Sequence, residues 1–387
     1  MKAMQEKIDI KNYTLKELRE FFVSNNFAKY QAQQIFSWIY AKRIEKFALM
    51  TNISKEMRVL LEEKFYLSKL KTIKTELSKD ETLKLLFDLS ATDEFLHVGG
   101  SASGGEDKAK IESVFIPEAS RATLCVSSQV GCKFNCKFCL SGQLGFRRNL
   151  KTSEIINQYL ETSVSILPSK ITNLVFMGIG EPLDNFSNVT KAIEIFMEPA
   201  GIGFGKRRIC ISTCGLVEGI EKLAKLKLGI KLSVSLHSAD DAVRSKIMPV
   251  NKKYPLKELI TAVKNFSKIE QYPVTFEYAL MQGLNTSKAD ACKLIKLVRG
   301  LNCKINLIPY NEAAVFQVED AEKLRSRITP ERSERGNKSS LEFNQPNLEE
   351  TGAFCKELEN AGIFFTLRKS RGQDINAACG QLVAAWN

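Results

Sequence analysis

Cys132, Cys136 and Cys139 are spaced C-x3-C-x2-C in a segment that follows a short apolar run, Ala122–Ser127. Three thiolates at this spacing hold three irons of a 4Fe–4S cube and leave the fourth iron without a protein ligand. An iron with an open position chelates the amino and carboxylate groups of S-adenosylmethionine and delivers one electron to its sulfonium. The product is a 5′-deoxyadenosyl radical, able to take hydrogen from unactivated carbon. A structural zinc would need a fourth ligand, usually within a second spaced pair. No second pair is present, and His97 and His237 lie far off in sequence. Three incidental buried cysteines are the other alternative.

Met177–Asn185, MGIGEPLDN, follows the next apolar run. Gly178 and Gly180 allow close backbone approach to a ligand, and Glu181 accepts from an ammonium or a ribose hydroxyl. Alone this is an ordinary loop; one strand after the cysteine triplet it suits an S-adenosylmethionine-binding loop. Ten cysteines with four inside fifteen residues do not read as a disulfide framework.

Such residues need a scaffold that gathers strand ends. Short apolar or β-branched runs at Ala122–Ser127, Asn173–Met177, Arg208–Ser212, Lys231–Ser235, Val274–Tyr278 and Lys304–Ile308 alternate with helical stretches. The stretches are Thr152–Leu167, Ser187–Met197, Leu216–Leu226, Leu256–Ser267 and Ser287–Arg299. Six strand–helix repeats predict an α/β fold with a parallel sheet, open or curled into a barrel. Chemistry is then expected at the carboxyl ends of the strands.

Residues 1–70 read as a basic helical unit, with helices at Leu15–Ser24 after a Thr14 cap, at Ala28–Tyr40 and at Ser54–Lys64. Residues 71–120 carry extended runs such as Leu83–Leu89 and Glu112–Ile116, broken by a Gly/Ser-rich loop at Gly99–Gly105. Residues 121–387 form the core, with an insertion around 312–347, then a helix at Glu349–Ala361 and a last strand at Phe364–Leu367.

The 387 residues include 56 Lys/Arg and 44 Asp/Glu, a net charge of +12. Residues 1–75 alone hold 15 Lys/Arg against 8 Asp/Glu. This excess favours polyanionic partners such as nucleic acid. A 44% hydrophobic, 26% charged composition excludes disordered and low-complexity classes. No run reaches the ~18 apolar residues that cross a bilayer. Met1–Lys11 lacks an apolar signal core, so a cytoplasmic protein without membrane association is expected.

The cysteine triplet followed by a Gly-Glu loop resembles the radical S-adenosylmethionine superfamily. Longer strings are similar to the adenine-C2 RNA methyltransferases of the RlmN type: LCVSSQVGC (Leu124–Cys132), GFRRNL (Gly145–Leu150), FMGIGEPLDN (Phe176–Asn185), KRRICISTCG (Lys206–Gly215), SLHSADD (Ser235–Asp241), NLIPYN (Asn306–Asn311) and RKSRGQDINAACGQL (Arg368–Leu382). The resemblance runs from about Tyr13 to Leu382. It implies an incomplete (βα)6 TIM-like barrel with a small amino-terminal helical RNA-binding accessory domain. It also implies one 4Fe–4S cluster on Cys132, Cys136 and Cys139. Two molecules of S-adenosylmethionine are used per turnover, contacted by Gly180, Glu181, Ser212, Ser235, Leu236, His237 and Asn311. By the same resemblance Cys379 carries the methyl group, Cys125 is its partner thiol in a transient disulfide, and Glu112 accepts a proton. The implied substrates are adenosine 2503 of 23S rRNA and adenosine 37 of tRNAs, modified by a monomer served by a one-electron donor such as flavodoxin.

The chemistry is coherent. Carbon 2 of adenine lies between two ring nitrogens, is electron-poor, and cannot attack an electrophilic methyl group. A cysteine thiolate can. Cys379 takes the methyl by displacement, hydrogen abstraction leaves a methylene radical, and that radical adds to the ring. Glu112 removes the carbon-2 proton, and Cys125 attacks the sulfur of Cys379 to release the methylated base. The scheme needs Cys125 and Cys379 to meet in the fold.

Pattern alone gives blander expectations. Glu112 alternates with apolar residues, as an exposed strand position would. Cys125 and Cys379 could be small buried hydrophobes, and His237 an ordinary hydrogen-bonded histidine. Cys210, Cys214, Cys292, Cys303 and Cys355 are assigned to packing. Arg147, Arg148, Lys206–Arg208 and Arg368–Arg371 suit phosphate contacts. The 312–347 insertion departs from the family pattern. Two alternatives stand beside the carbon-2 reading: a Cfr-type carbon-8 methyltransferase, and a non-catalytic RNA-binding or ribosome assembly factor.

Overall fold

The computed structural model describes residues 7–90, 109–143, 145–311 and 343–382. His97, the Gly99–Gly105 loop and residues 312–342 of the expected insertion lie outside the described residues.

Helix Leu15–Ser24 begins where its sequence stops competing with it. The Thr14 hydroxyl accepts from Glu17 N, and the Glu17 carboxylate accepts from Thr14 N at 2.8 Å, a reciprocal capping box. Helices Lys29–Tyr40 and Lys55–Lys64 follow, the second capped by Ser54. Leu18, Phe22, Ile35, Ile39, Met57 and Leu61 turn inward at helical spacing, and they share one apolar core with the sheet and its helices. Strand β1 (Ile8–Asp9) pairs in parallel with β2 (Phe65–Tyr66) and closes the unit.

A buried lysine fastens this unit to the core. Lys11 Nζ donates to Ser68 O and to Asn157 Oδ1, both at 2.7 Å. Burial holds its ammonium down to about 8, against the opposing pull of Asp9. Between pH 8 and the ordinary value of 10.5 the unfolded chain therefore binds a proton that the folded chain does not. Stability from this group rises with pH across that window, by up to about 3 kcal/mol. Chemical denaturation at pH 8 and pH 10 should show the rise in the wild type and its loss in Lys11→Met; equal slopes for the two proteins would refute it.

The remaining strands build one large sheet. It uses β3 (Lys71–Leu77), β4 (Leu83–Asp88), β5 (Lys110–Glu118) and β6 (Arg121–Cys125), whose neighbours are antiparallel. A small hairpin, β7 (Gln129–Gly131) and β8 (Phe146–Asn149), follows β6. The sheet then continues in parallel from β6 through β9 (Asn173–Phe176), β10 (Ile209–Thr213), β11 (Lys231–Ser235), β12 (Val274–Leu280), β13 (Cys303–Pro309) and β14 (Phe365–Leu367). β3 and β14 are its two free edges among the described residues, so the barrel is incomplete. The expected strands and helices are present with ends moved by one to three residues. Helix Leu256–Glu270 runs past Ser267 and stops at Gln271, which is left-handed. Helix Asp241–Ile247 had no counterpart in the sequence reading.

The two faces of the parallel sheet differ in chemistry. Val234, Phe276, Tyr278 and Ile305 face the helices, and Tyr278 packs on Phe354 of helix Leu348–Asn360 with ring centroids 5.5 Å apart. Register places Ser235, Glu277, Asn306 and Thr366 in one tier on the opposite face. Cys125, Val175, Cys210 and Lys231 form another tier. Parallel sheets covered on both sides are normally apolar on both. A polar inner face marks a lumen that receives something other than side chains.

Candidate functional site

The three-cysteine loop is pinned from several sides. Gly131, just before Cys132, has φ +76°, and a Cβ there would stand 1.9 Å from Gly145 O. Only glycine lets β7 turn so tightly into the loop. Cys132 N donates to Gly145 O at 2.8 Å, Lys137 N to Ile247 O at 2.8 Å, and Leu140 N to Gly380 O at 2.9 Å. The loop thus rests on helix Asp241–Ile247 and on the carboxyl-terminal segment. Burial raises all three thiols, Cys132 to about 12, and each of Cys132 and Cys136 is raised further by neighbouring cysteines. Such thiols are protonated at neutral pH unless a metal displaces the proton.

Among the described residues no group of three or more His, Cys, Asp or Glu converges closely enough to hold a single metal ion. A cube spends one iron on each thiolate and so needs its sulfurs spread more widely than a single tetrahedral ion does. An all-sulfur donor set on a glycine-hinged loop fits the cube.

Glu181 sits one strand away and is 3% exposed. Its Oε1 accepts from Leu183 N at 3.0 Å and its Oε2 from Cys214 N at 2.7 Å. Burial pushes its carboxyl up, and the backbone donors oppose that. No described cation pairs with it, so this oriented, buried carboxylate suits an ammonium-bearing ligand. Gly180, at φ +103°, passes so close to Gln129 that a Cβ would stand 2.5 Å from that side chain. Ser212 and Ser235 lie at the carboxyl ends of β10 and β11, facing the lumen. Leu236 and His237 follow, their amides bonded to Glu277 O.

His237 adopts φ +54°, its Nδ1 accepts from Ala279 N at 2.9 Å, and its ring meets Phe138 of the cysteine loop edge-on at 4.6 Å. Burial, reinforced by the charge of Arg244, pushes its pKa down to about 3, so the imidazole is neutral. Asn311 Oδ1 accepts from Gln373 Nε2 at 2.7 Å, tying β13 to the carboxyl-terminal segment.

That segment carries Cys379 into the same lumen. Cys125, Val114 and Ile179 pack with Ala377 and Leu382 in a cluster of their own, and each thiol is raised, first by burial. Cys125 is raised further by Cys379. Cys379 is the more open of the two. All ten cysteines are free. The β3–β4 turn clamps the segment: Gly372 N donates to Asp80 Oδ2 at 3.0 Å and Ser78 Oγ to Asp374 Oδ1 at 2.5 Å.

Glu112 corrects its pattern-based expectation. It is 5% exposed, because β5 packs against the core on one face and under the Cys379 segment on the other. Cys292 is corrected the opposite way: it is exposed on helix Lys288–Val298 rather than packed in the core.

Two site residues escaped sequence reasoning. Lys84 Nζ lies 3.6 Å from Glu112 Oε1 and donates to Ile375 O at 2.6 Å, joining a carboxylate to the Cys379 segment. Arg244, fully buried, donates to the carbonyls of Leu236 (3.0 Å), Cys214 (2.8 Å) and Ser235 (3.0 Å), lacing β10 and β11 together at their carboxyl ends. Neither was marked in the sequence: Lys84 stands in an apolar extended run, and Arg244 in a charged stretch that was not read as a helix.

Similarity to known proteins spans both the helical unit and the sheet. Residues 8–67 match the ribosomal RNA large subunit methyltransferase N-terminal domain, and residues 126–295 match the radical SAM superfamily. The chain is 40% identical to the dual-specificity RNA methyltransferase RlmN of Pelobacter propionicus, over 98% of its own length and 96% of that protein's. It is 38% identical to the RlmN of Geotalea uraniireducens, over 97% of each. A radical SAM methyltransferase from Sphaerobacter thermophilus, known from its crystal structure, superposes with a TM-score of 0.81 at 35% identity, covering 98% of this chain and all of that one. A 4Fe–4S cluster and S-adenosylmethionine are the cofactors of such a chain. Likeness that runs unbroken from the helical unit to the last strand makes this protein a member of the RlmN family of radical SAM methyltransferases.

Proposed function

We propose that this protein methylates carbon 2 of adenosine in RNA, at adenosine 2503 of 23S rRNA and adenosine 37 of tRNAs. The observation that carries the reading is that the Ala377–Leu382 segment, which bears Cys379, packs on Cys125 and brings the two non-ligand thiols near enough to influence each other, beside the buried Glu112. Cys132, Cys136 and Cys139 hold the cluster, and Gly180, Glu181, Ser212, Ser235, Leu236, His237 and Asn311 hold S-adenosylmethionine. Together these cofactors supply a methyl group and a 5′-deoxyadenosyl radical to activate it. Two molecules of S-adenosylmethionine are consumed per turnover.

Cys379 receives the methyl on its sulfur and then bears the bridge to the base. Glu112 takes the carbon-2 proton, with Lys84 fixing its carboxylate in place. The adduct gives up its unpaired electron to an external acceptor. Cys125 as a thiolate then attacks the sulfur of Cys379, and the sulfur–carbon bond breaks toward the base. The base's methylene carbon takes a proton to become methyl, and a disulfide remains for an external thiol to reduce. The target base leaves its stack to enter the lumen. The basic helical unit, residues 1–70, holds RNA through its phosphates. A monomer in the cytoplasm, reduced by a donor such as flavodoxin, completes the reading; no helix among the described residues is long and apolar enough to cross a membrane.

Mass spectrometry of 23S rRNA and tRNA digested after anaerobic incubation with the loaded enzyme tests this. 2-Methyladenosine is expected in both. 8-Methyladenosine without the 2-isomer would move the protein to the carbon-8 class, and no methylated adenosine at all would overturn the enzymatic reading.

A further inference from the structure

One carboxylate in the lumen has no role in the scheme above. Glu277, in the middle of β12, is 6% exposed. Its Oε1 accepts from Ser233 Oγ at 2.5 Å and from Asn306 Nδ2 at 3.1 Å. Thr366 Oγ1 donates to Asn306 Oδ1 at 2.6 Å, which fixes that amide with its NH2 toward Glu277. Its Oε2 is buried and accepts from nothing among the described residues. Leaving such an acceptor unpaired costs more than making a bond returns. Strand alternation turns Glu277 away from the helix-facing Tyr278, into the tier of Ser235, Asn306 and Thr366. The same residue's carbonyl receives the amides of Leu236 and His237. No thiol fills the gap: Cys379 lies near enough to feel its charge but not to bond it.

We propose that Oε2 of Glu277 accepts a hydrogen bond from the exocyclic amino group of an adenine bound in the lumen, making Glu277 a further ligand-binding residue. The inference rests on the reading above, which brings two adenines to this lumen: that of S-adenosylmethionine and that of the target nucleotide. Both present the same N–H donor, and binding measurements separate them.

The informative variant is Glu277→Gln in the cluster-loaded enzyme. Ser233 and Asn306 both donate to the Oε1 position, so the new amide keeps its carbonyl there and places its NH2 where Oε2 was. One atom changes from acceptor to donor with no change in shape. Affinity for S-adenosylmethionine is measured by calorimetry, and affinity for an RNA hairpin bearing the target adenosine by filter binding. About a tenfold loss is expected for one ligand, with the other within about twofold. Loss on the first identifies the cofactor's adenine, and loss on the second the target base. The wild-type enzyme supplies a check that does not depend on the variant folding. Its affinity should fall by a similar factor for S-inosylmethionine, or for the hairpin with purine riboside at the target. Unchanged affinities in both arms overturn the proposal. They do so whether or not the wild type methylates RNA in a parallel assay, and only failure of that assay would count against the proposed function.

Discussion

Replacing Cys379 with Ala is expected to leave no measurable methylation of RNA, a fall on the order of 10^4-fold or more. Replacing Cys125 with Ala should stop the reaction later and in a different way. Cys379 still accepts its methyl and still becomes joined to the base, but no thiol remains to break the bond. The Cys125→Ala protein should therefore accumulate a covalent RNA adduct, visible as a retarded band on a denaturing gel and approaching one RNA per active enzyme. Cys379→Ala should show no such band. The asymmetry follows from their placement: Cys125 is buried in the cluster that Ala377 and Leu382 close, while Cys379, near enough to raise its thiol, is the exposed one of the two. Both thiols are raised by burial, so Cys125 is an idle, protonated neighbour until the bridge has formed. Adducts of equal yield from both variants, or full activity in either, would refute the assignment.

The second large effect belongs to the loop. Cys132→Ala, Cys136→Ala or Cys139→Ala, reconstituted anaerobically with iron and sulfide, should each lose most bound iron and the brown chromophore. Each should also lose methyl loading of Cys379, read by intact-protein mass. Circular dichroism should barely change, because the loop contributes little to the apolar core. The physical reason is that these buried thiols are proton-bearing without metal, and two thiolates cannot hold a cube that needs three. A variant that keeps full iron content, or a wild type that binds stoichiometric zinc in place of iron, would contradict it.

Much of this molecule could be read without coordinates, and the reasons are specific. Thr14 and Glu17 announce a helix start through a local, three-residue exchange of bonds, and the strand–helix alternation records burial that each short run carries on its own. Glu112 was misjudged because alternation reports that one face differs from the other. It cannot report that the polar face is roofed by a segment more than 250 residues away. Lys84 and Arg244 were invisible for a related reason. A lysine in an extended run and an arginine among charged residues are usually solvated, and only the fold shows their burial against Glu112 and against three carbonyls. The orphan oxygen of Glu277 was beyond reach altogether, since an unmade bond leaves no trace in residue order.

The clamp between the β3–β4 turn and the Cys379 segment joins Ser78 to Asp374, 296 positions apart. Closing so long a loop is entropically the most demanding event in the molecule and comes late in any folding order. A nascent or partly folded chain therefore holds its three-cysteine loop and Cys379 in separate places. Radical chemistry is withheld until the architecture that contains it is finished.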